Sequence, residues 1–316
     1  MKTLKIPLLF TLVIFLAACG RSQAEPIPTV PVTATSTQVP TETSTVATTT
    51  TTPIITADSN TVVPPTPTLA PDAWKSMPIV PVVSPRMVDV YRAGLAAGRD
   101  PARFSKIGDC QNITTYFLDS FDNPKIYRLG MQYAYLQPTI DHFSGSWSRK
   151  SLAVKGGLNV AAALNPLWAD PHQCKPGETP IACEIRVYNP SIVTVSMEES
   201  WSGDIVHYNL YLRKIVEYIL SQNVVPILAT RAEVPGSKID INATVSQIAY
   251  DYQVPLWNFW AATNPLPSHG LTVDDFHLTQ APDFFDNPKD MEEGWPWRNL
   301  TALQSIDAVY RAVSGQ

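Results

Sequence analysis

The chain has 316 residues, a formal net charge of −5, and charged residues make up 16% of it. No basic cluster accompanies this acidic balance, which argues against nucleic acid as a partner. About 240 residues follow position 72, enough for one domain with a sizeable core.

Lys2 and Lys5 precede an apolar run from Ile6 to Phe15 and then the small residues of Leu16-Ala17-Ala18. That order reads as an export signal. The run is shorter than the ~20 apolar residues that span a bilayer. Leu16-Ala17-Ala18-Cys19 resembles the bacterial lipobox. The resemblance implies cleavage before Cys19, lipidation of its sulfur, and an extracytoplasmic chain held on the bacterial cell membrane, with membrane lipid as a partner. Two or more acyl chains make such an anchor stable. Residues 20–72 are mostly Thr, Pro, Val, Ser and Ala, with an unbroken threonine run from Thr48 to Thr52. So few large apolar side chains do not offset chain ordering, so a disordered, extended stalk is expected.

Residues 73–316 carry the periodic patterns. Ser84-Pro85 reads as an N-cap and first helical position, with Gly98 as the stop. Phe104 to Asp109 is a predicted buried strand. A second strand is expected near Ser148 to Val154, and a helical stretch over Leu158 to Leu164. Ile192 to Val195 is short and β-branched, a strand. Ile205 to Ser221 places Tyr208, Leu212, Ile215, Val216 and Ile219 on one helical face. Val224 to Leu228 is the next strand, with Pro226 tolerated near its start. A helix over Asn242 to Tyr252, a strand over Val254 to Phe259, and a final helix marked by Leu300, Leu303, Ile306 and Tyr310 complete the series. The alternation predicts an α/β fold: a three-layer sandwich, flavodoxin-like, with a doubly wound parallel sheet of about five strands and helices on both faces. A monomer is expected.

Cys174 and Cys183 flank a turn-rich segment, and in an oxidising compartment they should pair. A zinc site with His172 is the competing reading, with an incomplete ligand set. No metal or cofactor is otherwise expected. Cys110 is then left over, an odd thiol in an exported chain.

A parallel sheet gathers ligands at the carboxyl ends of its strands. That rule selects Gly108-Asp109-Cys110, Gly156-Gly157, Ser196 to Trp201, Thr230-Arg231, and the loop after Phe259. The last of these contains Asp274-Asp275-Phe276-His277. Gly-Asp-Cys after the first strand and Asp-x-x-His before the final helix resemble the SGNH (GDSL-type) hydrolase superfamily. The resemblance covers nearly the whole domain. It implies an ester hydrolase or acetylesterase acting on an acylated polysaccharide or a small ester. Cys110 would stand at the nucleophile position in place of serine, His277 as base, Asp274 as its orienter, and the N–H groups of Cys110 and Gly156 as oxyanion donors. Cys110 is otherwise a small buried residue. Glu198 or Glu199 falls where the family has an oxyanion-hole asparagine, and a carboxylate cannot donate a hydrogen bond. Asn112 and Ser196 are the candidate substitutes. Asp109 is expected to brace the turn, Asp275 to be solvated, and Trp201, Trp257 and Trp260 either to stack on sugars or to fill the core. Two rival functions remain: a catalytically inactive relative that binds a glycan or other ligand, and a solute-binding lipoprotein. A Cys110 sulfur within about 3.5 Å of a His277 nitrogen, with two N–H groups converging beside it, favours chemistry; a wider separation, or a glutamate filling the hole, favours the inert relative.

Overall fold

Short β-branched runs make the central strands. In the computed structural model, residues 68–70, 72–197, 204–236 and 241–315 are described. Cys19, the threonine-rich stretch to residue 67, Glu198, Glu199 and Trp201 lie outside them. Helix α1 (Pro85–Ala96) begins after Ser84, whose hydroxyl donates to the Gln253 carbonyl instead of capping. Strand β1 (Asp100–Gly108) follows, then the two-residue β2 (Tyr127–Arg128), α2 (Gln137–His142) and α3 (Pro180–Tyr188). Next come β3 (Pro190–Ser196), α4 (Ile205–Ser221), β4 (Val225–Ala229), α5 (Ile241–Tyr252), β5 (Leu256–Trp257), α6 (Phe259–Thr263), β6 (Asp283–Phe284) and α7 (Gly294–Ser314).

The main sheet is parallel, with order β1-β3-β4-β5; β2 and β6 form a separate parallel pair. Every residue of β3 and β4 is buried. Helix α1 packs on α7, and α4 packs on α5. The five apolar residues read onto one face of α4 are its buried set. Burying each such side chain contributes roughly 1.5–3 kcal/mol. Pro226 sits inside β4, and β5 pairs only with Leu228 and Ala229, so its missing N–H leaves no gap on that side.

Four strands form this sheet where about five were expected, and the shortfall has a local cause. Between Ser148 and Val154 only Val154 bridges, to Gly108. The buried carboxylate of Glu184 on α3 pairs with Arg149 and accepts the Leu152 N–H at 2.8 Å, so a side chain takes the place of a ladder partner. The Leu158 to Leu164 stretch makes only a 3₁₀ turn at Ala162–Leu164. Beyond Trp257 the expected strand becomes α6, because Asn258 caps it by accepting from the Ala261 N–H. Its amide also donates to the carbonyls of Trp74 and Met77.

Cys174 and Cys183 form a disulfide. This overturns the zinc reading, since neither sulfur is a thiolate available to a metal. No helix among the described residues is long and apolar enough to cross a membrane.

Candidate active site

The turn after β1 is built by close approach. A Cβ on Gly108 would lie 2.0 Å from the Asn112 amide nitrogen and 2.3 Å from the Ser196 carbonyl, so only glycine fits between β1 and β3 here. Asp109 caps the following 3₁₀ turn, accepting from the Gln111 N–H at 3.1 Å. Cys110 is the first residue of that turn; it is 8% exposed and not disulfide-bonded.

The second piece is a loop organised around one carboxylate. Asp274 Oδ1 accepts from the N–H groups of Phe276 (3.0 Å) and His277 (2.9 Å) and from the Thr272 hydroxyl (2.7 Å). Its Oδ2 lies 2.6 Å from His277 Nδ1. The loop is pinched by a Leu271–Leu278 bridge and by the Thr272 N–H on the His277 carbonyl. Partial burial pushes the Asp274 carboxyl up, but the bonds from His277, Thr272 and the backbone outweigh it and hold the group well below the usual carboxylate range. An ionised Asp274 accepts the Nδ1 proton, which leaves Nε2 of a neutral imidazole as an acceptor.

These two pieces meet. Cys110 Sγ lies 4.0 Å from His277 Nε2. That is longer than the 3.5 Å looked for, and catalytic contacts of this kind commonly tighten only once substrate is bound. The pieces are stitched together by Gln111, whose side-chain amide donates to the Phe276 carbonyl at 2.6 Å. No family model matches this chain, and no curated protein or solved structure matches it.

Gly156 reaches the same strand end. The Lys155 N–H donates to the Gly108 carbonyl and the Gly108 N–H to the Ala153 carbonyl. Gly156 is one residue further on, exposed, with open space where a Cβ would stand. The substitutes considered for the oxyanion asparagine do not face outward. Asn112 is fully buried; its amide donates to the Ser196 carbonyl at 2.8 Å and lies 3.5 Å from Asp109. The Ser196 hydroxyl, also buried, accepts from Arg298 at 2.9 Å. Asp109 and Asn112 therefore brace the turn from beneath instead of lining an open site. Trp257 is fully buried core, which removes it as a sugar platform; Trp260 is half-buried, and Asp275 is exposed.

Two residues of this region carried no signal in the sequence. Gln111 is one. The other is Arg298 on α7, fully buried, whose Nε donates to the Gln111 carbonyl at 3.2 Å. The rings of Phe117, Trp257, Phe259 and Trp295 stand 4.9–5.9 Å from its guanidinium. Periodicity marks α7 by Leu300, Leu303 and Ile306, yet the helix is buried on most sides, so one apolar stripe says nothing about Arg298.

Proposed function

We propose that the domain is an acyl hydrolase of SGNH type that cleaves an ester bond with Cys110 as nucleophile. His277 acts as base and then acid, and Asp274 orients the imidazole and stabilises its charged form. The observation that carries this reading is the chain Cys110 Sγ to His277 Nε2 (4.0 Å) and His277 Nδ1 to Asp274 (2.6 Å), made by side chains 167 positions apart. A flavodoxin-like order is the matching fold reading. Val154, bridged to the outer edge of β1, stands where a further strand would give the order 2-1-3-4-5.

The chemistry follows from those roles. Nε2 takes the thiol proton as sulfur attacks the acyl carbon, and the carbonyl electron pair moves onto oxygen. The N–H groups of Cys110 and Gly156 receive that oxyanion. Collapse breaks the carbon–oxygen bond, and Nε2 returns the proton to the departing alcohol. Water, giving a proton to Nε2, then attacks the thioester, and the thiolate leaves and regains its proton. In this reading the domain works outside the cytoplasm, held by lipid on Cys19. The Cys174–Cys183 disulfide supports an oxidising compartment. An acylated surface polysaccharide or a small ester is the substrate.

One observation favours a second reading, a non-catalytic glycan- or ligand-binding relative. The Asn112 amide is already committed to Ser196, so it supplies no oxyanion donor. A missing donor of this kind costs about 3 kcal/mol of transition-state stabilisation. Hydrolysis of 4-nitrophenyl acetate by the full-length chain decides between the two. Turnover that falls by roughly 10³ or more in Cys110→Ala supports the thiol mechanism. Equal rates for the two proteins remove Cys110 from it, and an inactive wild type leaves the binding reading.

A further inference from the structure

The same rim of the sheet holds a second feature that the proposed chemistry does not use. A pocket of about 290 Å³ opens where the chain leaves β4 and β5, between the Glu233–Gly236 loop, the end of α6 and the segment at Trp74. Its position is set by a short relay. The Thr230 hydroxyl donates to Asn258 Oδ1 and accepts from the Trp260 N–H at 2.9 Å, so the loop after β4 and the start of α6 are tied together.

Two indoles form its aromatic wall. Trp260 is half-buried and stands edge-on to Trp74, with centroids 4.9 Å apart and planes at 68°. That contact fixes both rings, so neither needs ordering when a ligand arrives. Trp74 is 4% exposed, and its indole nitrogen is buried without an acceptor among the described residues. An uncompensated donor of this kind is rare in native folds. The polar lining is mixed in sign. Lys75 sits over the Trp74 ring and bridges to Asp72, while the Glu233 carboxylate is steadied by the Asn242 amide at 3.0 Å. Asn264 is exposed beside them.

We propose that this pocket is a carbohydrate subsite that binds a neutral sugar ring of a glycan chain against Trp260. A sugar presents an apolar C–H face to an indole and a rim of hydroxyls to amide, carboxylate and ammonium groups, and this pocket offers that combination. One cation and one anion favour neither an acidic nor a basic ligand. In the sheet, β3 alone separates β1 from β4. Strand spacing then puts the carboxyl ends of β1 and β4, from which the Cys110 turn and this loop set out, about 10 Å apart along the rim. A glycan held here runs toward the thiol, which makes a substituted polysaccharide, not a small free ester, the substrate class. That last step rests on the acyl-transfer reading; the binding itself does not.

The test measures binding where turnover is absent. Full-length chain carrying Cys110→Ala is titrated, by tryptophan fluorescence and saturation-transfer NMR, with β-1,4-linked hexamers of N-acetylglucosamine, glucose and xylose. At least one binds saturably, and Trp260→Ala weakens it by about tenfold or more. Trp260→Phe, which keeps a ring, retains part of the affinity and serves if Trp260→Ala does not fold. Trp168→Ala, at an exposed tryptophan outside the pocket, changes nothing. Binding of none of the three hexamers overturns the subsite, as does undiminished binding in a folded Trp260→Ala chain or in Trp260→Ala and Trp260→Phe alike. A chain that binds but never hydrolyses an ester refutes the acyl-transfer reading and leaves the subsite standing. Hydrolysis without binding does the reverse.

Discussion

Two segments of this molecule share the Asp-x-x-His pattern and nearly the same local structure. Asp204-Ile-Val-His207 opens α4, and Asp274-Asp-Phe-His277 closes the loop before α7. In both, the carboxylate accepts the N–H groups two and three residues on, and its second oxygen meets the histidine Nδ1. Both aspartates are held below the usual carboxylate range: Asp204 chiefly by the His207 side chain, Asp274 by bonds that outweigh its partial burial. The far side of each ring differs. His207 stacks beside Tyr211 on an exposed helix start, whereas His277 presents Nε2 to the Cys110 sulfur. The Asp-x-x-His spacing thus builds a tautomer-fixing turn from local bonds alone. Whether that turn has chemistry to serve depends on what another part of the chain brings to it.

The comparison breaks most visibly in activity. His277→Ala should lower ester hydrolysis by about 10³-fold or more, while His207→Ala leaves the rate within about twofold. A comparable loss at both histidines in folded protein would put the difference between the two turns in doubt. Next in size, Asp274→Ala should lower the rate by about 10²–10⁴, because the imidazolium loses its partner. Its pH–rate profile should change as well, and an unchanged rate would remove Asp274 as the orienting group.

A third aspartate sharpens the contrast. Asp283 is nearly fully buried, and burial pushes its carboxyl up to about 6 against bonds from Ser120 and Asn299. Its folded state holds the proton more tightly than the unfolded chain. Its contribution is therefore complete below about pH 4 and is lost as pH rises through about 6, a change of about 3 kcal/mol. Asp204 and Asp274 act with the opposite sign, and their contributions fade only as pH falls below about 4. Urea midpoints at pH 4.5 and 6.5 should differ less in Asp283→Asn than in the wild type; an identical difference would contradict the assignment. The smallest effect is at the cap. Asp204→Ala removes the cap and should give a modest drop in Tm, with turnover unaffected.

Much of the fold was legible because central parallel strands and amphipathic helices leave direct patterns. Ile192 to Val195 and the stripe from Tyr208 to Ile219 are examples. The failures fall where a side chain replaced backbone pairing. Glu184 holds Arg149 and Leu152 out of a ladder, and Asn258 turns a strand into a helix after Trp257. The Cys110 turn and the Asp274–His277 loop could be picked out by residue type and by position at strand ends. The brace beneath them, Asn112 on Ser196 and Arg298 on Gln111, could not, because buried polar contacts across elements follow no periodicity.

By itself the sequence determined the strand at Ile192 to Val195, the apolar face of α4 and the cap at each Asp-x-x-His turn, because these rest on patterns and bonds within a short segment. Tertiary structure alone decided which histidine faces a thiol, which tryptophan is left half-buried beside a pocket, and that Arg298 lies beneath the Cys110 turn. Such pairings join residues more than a hundred positions apart, and the free energy that selects them belongs to the packed sheet and its helices as a whole.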